Sequence, residues 1–406
     1  MPDTVSPSVL GILLIGLVAV LAAPMRAVLG RLGLPDVVGY ILLGLALGAV
    51  DWRFRLLTGE TRHGLDMLAA AGVVLLLFRA GLESHPAKLM RQLPRASLAL
   101  LGNVVASAGL GYVACVWLLG IGTIPAVFVA IALSATSVGV SLAVWREAGA
   151  LASEQGALLL DLAELDDVAA VFLLAVVLAL APVLNGNADG ETLPQLLVAA
   201  GWLAVKLTLF GAACLAFATW LERPLTRWFA RLDNDPVPIV PVAGIAFVIA
   251  AISDWLGFSL AIGALAAGLA FSRDPERVRL DAGFDVVSRL FVPFFFVGIG
   301  LDVAVDALPG ALPVGALLLA VAVVGKVAGT ALPLACGVGG AGALLIGVSM
   351  VPRAEIAMIV MDRGRALGDW AVPPGIYAGM VVVTLGSCLL APPLVALLLR
   401  RRPPPG

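Results

Sequence analysis

Long apolar runs, separated by short clusters of Pro, Gly and charged residues, fill the chain from end to end. An α-helix rises about 1.5 Å per residue and needs about 20 apolar residues to cross the hydrocarbon core of a bilayer. At that length, the pattern predicts about 13 transmembrane helices, over residues 8–24, 35–50, 65–82, 96–119, 123–146, 154–180, 196–221, 238–254, 258–272, 285–302, 311–334, 340–362 and 373–399. Segments 238–254 and 258–272 also read as one kinked unit, and 340–362 is interrupted by Pro352, Arg353 and Glu355. The expected fold is an all-α polytopic membrane protein.

Composition agrees. Hydrophobic residues make up 61% of the 406 and charged residues 13%, about half the charged share of an ordinary soluble domain. The mean hydropathy is +1.07. No polar stretch exceeds a loop, which excludes a separate nucleotide-binding or catalytic domain and predicts a protein that is not an enzyme, with no cofactor. The first run has no basic segment before it and no small-residue cleavage pattern, so it reads as a retained span. Cys115, Cys214, Cys336 and Cys388 lie in apolar segments and read as small buried hydrophobes. Fifteen Lys and Arg fall in one set of loops and the C-terminal end, against five (Arg53, Arg55, Arg62, Arg363 and Arg365) in the other. Basic loops stay cytoplasmic, so the expected topology puts the N-terminus outside and the C-terminus inside.

Few charges remain within the spans. Asp166 and Asp167 are adjacent near the middle of the sixth, and Lys326 is similarly central in the eleventh. Ionisable groups at that depth are costly and mark ion pathways. Two neighbouring carboxylates titrate as a coupled pair. An Asp–Lys pair across two helices reads as an ion pair that breaks and re-forms as protons and cations come and go, or else as a permanent bridge between helices. Asp161 and Glu164 lie one to two turns toward the cytoplasmic end. Glu164 shares a face with Asp167, so these two acids form a candidate cytoplasmic funnel for cations or, alternatively, a solvated cavity wall.

Two spans carry breaks. The fifth contains Ser134-Ala135-Thr136-Ser137-Val138-Gly139, and the twelfth Ser349-Met350-Val351-Pro352-Arg353-Ala354-Glu355. Hydroxyls and Gly allow the first to unwind, and Pro352 removes a backbone donor from the second. Arg353 and Glu355 could compensate the exposed half-helix dipoles. One interrupted span is followed by the Asp-Asp helix and the other is preceded by the Lys326 helix. Corresponding interruptions in two halves predict inverted repeats with a midplane site, although Gly, Ser and Pro also serve packing alone.

Six ordered blocks resemble the second group of the monovalent cation:proton antiporter superfamily: Leu32 to Gly44, Leu75 to Glu83, Ser134 to Glu147, Leu256 to Gly268, Pro293 to Leu301 and Gly347 to Glu355. The resemblance implies two crossed discontinuous helices, a homodimer, and a dimerisation domain beside a mobile core that moves as an elevator, with core helices over about 96–180 and 311–399. It implies that Asp167 is the main ligand of Na⁺ (or Li⁺ or K⁺), with Asp166 and Lys326 as the switching pair that makes proton exchange electrogenic. Thr136 and nearby carbonyls would line the site, while Ser137, Arg353 and Glu355 would support the crossing. A bacterial-type inner membrane and pH homeostasis are the implied setting. Ala354 stands where the family pattern has glycine, Arg79 where apolar residues are usual, and Gly48-Ala49 where it has Gly-Pro; the cytosolic regulatory domain of potassium-efflux members is absent from 1–406. The rival readings are a sodium-coupled symporter of an organic anion, a potassium channel-like member, and a non-transporting scaffold.

Overall fold

The computed structural model describes residues 7–32, 34–83, 86–150, 153–186, 192–233, 239–272 and 277–400. Among them the chain is helical throughout and contains no strand. In chain order the helices are α1 (Pro7–Arg31), α2 (Asp36–Phe54), α3 (Gly59–Glu83), α4 (Pro86–Val113), α5 (Thr123–Ser134), α6 (Val138–Glu147), α7 (Glu154–Gly186), α8 (Thr192–Ala216), α9 (Glu222–Asp233), α10 (Ile239–Trp255), α11 (Leu260–Phe271), α12 (Arg277–Leu301), α13 (Leu308–Val338), α14 (Gly340–Ser349), α15 (Glu355–Ala366) and α16 (Pro374–Arg400). Among the described residues, eight helical stretches are long and apolar enough to cross a membrane, and five shorter apolar ones accompany them.

Packing divides the chain into two compact units. The first comprises Met1–Ala23, Ala49–Lys88 and Leu178–Gly298; the second comprises Pro24–Gly48, Leu89–Val177 and Ile299–Gly406. Segments 96–177 and 311–399 fall in the second unit, which also takes Pro24–Gly48; 178–180 fall in the first.

In the first unit, α3 and α11 touch backbone to backbone. A Cβ at Gly268 would sit 2.0 Å from the Phe78 carbonyl oxygen, and one at Gly81 2.4 Å from that of Leu265. Small residues permit this approach, which gains dispersion contact where lipid supplies no hydrophobic drive. Phe78, Phe271 and Phe284 fill the adjoining core, Phe78 meeting Phe284 at 4.7 Å between ring centroids. Residues 239–272 are two helices, not one kinked unit: α10 and α11 fold back on each other through Leu256–Ser259. Gly257 takes φ +88 at the turn, and Gly263 packs on Ala250 and Ser253. The Ser259 hydroxyl caps α11 by accepting from the Ile262 N–H at 3.3 Å.

The second unit carries the interrupted helices. The predicted span 123–146 is two helices, α5 and α6, separated by Ala135–Ser137; 340–362 is α14 and α15, separated by Met350–Ala354. Helix α13 crosses this unit unbroken. It packs on α16 through Gly315, where a Cβ would lie 2.8 Å from the Gly379 carbonyl oxygen. It packs on α4 through Gly325 and Gly329, where a Cβ would lie 3.0 Å from Ser107 Cα and 2.6 Å from the Gly102 carbonyl oxygen. Lys326 sits between these two glycines, so the close α4–α13 seam fixes where its stem begins.

Candidate functional site

The two breaks meet inside the second unit. The Ser137 N–H donates to the Pro352 carbonyl at 2.8 Å, joining one break to the other through the backbone. The Ser137 hydroxyl donates to Glu355 Oε2. One turn on, the Ser141 hydroxyl donates to the Ser349 carbonyl at 2.6 Å, and Trp145 Nε1–H to the Ser349 hydroxyl at 2.8 Å. An unwound backbone at membrane depth is tolerable only when its polar groups are satisfied within the protein or by a cavity. Here each break satisfies part of the other.

The carbonyls freed at a helix C-terminus carry partial negative charge and lack intrahelical donors. Each break answers this with a buried cation. Lys326 Nζ donates to the Ser134 carbonyl at the end of α5. Arg353 Nη1 donates to the Met350 carbonyl, just past α14, at 3.0 Å. Both side chains are fully buried. The Arg353 N–H is held in turn by the Ser387 hydroxyl of α16 at 2.9 Å. Glu355 opens α15, where a negative charge suits the helix N-terminus.

Lys326 also donates to Asp166 Oδ2 at 2.8 Å, an ion pair 0% and 1% exposed. Two charges removed from water each carry a desolvation penalty of several kcal/mol, offset only by good geometry and further hydrogen bonds. Asp166 has both. The Thr136 hydroxyl donates to Oδ2, and Asn103 Nδ2–H donates to Oδ1 at 2.7 Å. Among the described residues, the side chains of Lys326, Thr136 and Asn103 all donate to this carboxylate.

Of the residues named from the sequence, the structure brings Asp166, Thr136 and Lys326 together, and places Ser137, Glu355 and Arg353 at the meeting of the breaks. Asp167 follows Asp166 along α7. Neighbours on a helix point about 100° apart, so Asp167 faces differently. It is half-buried. Asp161 is buried. The side chain of Glu164 lies outside the described residues, as does that of Cys336. Cys115 and Cys388 are buried free thiols, and Cys214 is only half-buried. Asn103 escaped the sequence reading, which treated charges as the expensive groups. A carboxamide within the apolar run Leu98 to Val105 is also costly without a partner, and that was the signal available.

This arrangement is an intramembrane carboxylate–ammonium pair held where two broken helices meet, the furniture of an ion-coupled transporter. The chain matches the family described as sodium/hydrogen exchanger, transmembrane, over residues 16–401, and belongs to that family. It is a multi-pass membrane transporter, not an enzyme. It is 32% identical over 337 residues to the high-affinity Na⁺/H⁺ antiporter NhaS3 of Synechocystis, covering 81% of this chain and 70% of the relative. It is 27% identical over 376 residues to the Na⁺/H⁺-K⁺ antiporter GerN of Bacillus cereus, covering 90% of each. The fold is similar to that of the sodium proton antiporter MjNhaP1 from Methanocaldococcus jannaschii, with a TM-score of 0.66 at 17% identity over 97% of this chain and 99% of that one.

Proposed function

We propose that the protein is a secondary-active antiporter that exchanges protons for a monovalent cation, with Na⁺ as the first candidate and Li⁺ and K⁺ as alternates. The observation that carries this reading is the buried Asp166–Lys326 pair at the meeting of the two breaks, within a chain of the sodium/hydrogen exchanger family. A permanent bridge is a weak source of stability, whereas a pair that opens can couple two ions.

Asp167 is the main cation ligand and carries a proton when the cation is absent. Asp166 holds Lys326 until the arriving cation competes for the same oxygens, and Lys326 then gives up its proton. Loss of both protons against one cation moves net charge, so exchange is electrogenic. Filling the site lets the core carry it across the bilayer barrier in an elevator motion, because the cation leaves one net negative charge and the two protons leave none; the empty site, with two uncovered carboxylates, stays put, which prevents leak. Thr136 and freed carbonyls line the site, and Ser137, Arg353 and Glu355 support it. Asp161 and Glu164 guide cations from the cytoplasmic side. The protein works as a homodimer in a bacterial-type inner membrane, with the N-terminus outside and the C-terminus in the cytoplasm, and contributes to pH homeostasis.

The test is proton/cation exchange in proteoliposomes, with an internal pH dye reporting pulses of Na⁺, Li⁺ and K⁺ for wild type and Asp167→Asn. Cation-driven proton movement that disappears in the variant supports the reading. No response to any of the three ions from correctly inserted wild type overturns it.

A further inference from the structure

We infer that Asn103 on α4 is a positioning residue that sets the cation preference of the site, by pinning one oxygen of Asp166 while leaving the other to be exchanged; this inference rests on the antiporter reading above. The two oxygens of Asp166 have different surroundings. Oδ2 takes the Lys326 ammonium at 2.8 Å and the Thr136 hydroxyl. Oδ1 takes the Asn103 amide at 2.7 Å.

The amide itself is steadied. The Ser107 hydroxyl, one turn further along α4, donates to Asn103 Oδ1 at 3.4 Å, which directs the amide nitrogen toward Asp166. Asn103 and Ser107 are both fully buried, so neither has bulk water as a substitute partner. Their helix is pressed on α13 at the two glycines that flank Lys326. A Cβ at Gly329 would lie 2.9 Å from Asn103 Cα, and one at Gly325 3.0 Å from Ser107 Cα. One helix seam therefore fixes both the residue that holds Oδ1 and the residue that covers Oδ2.

Selection among cations of equal charge depends on cavity size, ligand number and the rigidity of the ligands. A carboxylate held at one oxygen offers its other oxygen at a fixed place. One free to rotate about its terminal torsion, which is broad for Asp, adapts to ions of different radius. Removing Asn103 then weakens binding of the best-fitting ion most and narrows the spread between ions, with turnover at saturation changed little. Asn103 acts through its bond to Asp166, so its effect on the ion is indirect.

The experiment is dye-reported exchange in proteoliposomes at one fixed alkaline pH, giving KM and maximal rate for Na⁺, Li⁺ and K⁺ in wild type, Asn103→Leu and Ser107→Ala. Leucine keeps the branched heavy-atom outline and loses the donor. The expected result for Asn103→Leu is a rise of about tenfold in KM for the preferred ion, the lower end of what losing a hydrogen bond to a charged group produces, with a smaller rise for the others. Ser107→Ala moves the same ratios in the same direction by less, and stands in if the leucine variant does not fold. A purely structural role would lower the maximal rate equally for all three ions and leave the KM ratios as they are; that result overturns the inference alone. Absence of exchange in wild type overturns the antiporter reading and this inference with it.

Discussion

Asp166 and Lys326 show how much one residue can depend on another. Each is fully buried, so either alone is an uncompensated charge in a low-dielectric interior. Breaking a buried pair from one side costs about 3–5 kcal/mol, whereas replacing both members together is often near neutral. Lys326→Gln and Asp166→Asn should each lower the unfolding midpoint in detergent strongly, and the double variant should recover most of the loss. A double variant that loses the sum of the single effects would mean the two do not act as a pair. Ser137 makes a gentler case. Its N–H bond to Pro352 survives a side-chain change, but Ser137→Ala leaves Glu355 without the hydroxyl that now donates to it. The expected loss is about 1–3 kcal/mol, read from the same melts.

At the level of helices, glycine decides which elements approach. Gly268→Ala would place a methyl 2.0 Å from the Phe78 carbonyl oxygen, against backbone that cannot rotate away. About 1–3 kcal/mol of destabilisation follows from such overpacking. Because it lies in the first unit, its KM ratios among ions should match wild type. Gly329→Ala pushes on Gly102 and Asn103 instead, and should alter those ratios as well as stability. Comparing the two variants separates loss of packing from loss of site geometry.

Helices with long apolar runs, the Asp-Asp pair, Lys326 and both breaks were legible in the sequence, because each sets a polar or helix-breaking group against an apolar background. The pairings between helices were not. That Asn103 of α4 reaches Asp166, 63 positions later, depends on how helices pack. Nothing in the run Leu98 to Val105 distinguishes an amide that holds a carboxylate from one that pairs with a neighbouring helix. The split of 238–272 into a hairpin was equally open, since Gly257 permits either a kink or a reversal until Gly263 is seen against Ala250.

For the molecule as a whole, the proposed competition between protons and cation at one site makes a quantitative statement. By mass action, the apparent KM for the cation should rise with acidity by up to about tenfold per pH unit when one proton competes and about a hundredfold when two do. Initial rates of exchange across a pH series read this slope directly. A slope above the one-proton limit supports release from both Asp167 and Lys326; a KM independent of pH would rule out a shared site. Net charge movement adds a second check, because exchange that carries charge responds to an imposed membrane potential, while neutral exchange does not.

Lys326 spans two oxygens at once, the Ser134 carbonyl at the end of α5 and Oδ2 of Asp166. Whatever draws the ammonium aside therefore uncovers both together, one bearing a full charge and the other the negative pole of a half-helix. In the proposed cycle the side chain is then a stopper shaped to the vacancy it would create by leaving. Its withdrawal would present a hard, oxygen-lined cradle in which nothing new has to be assembled.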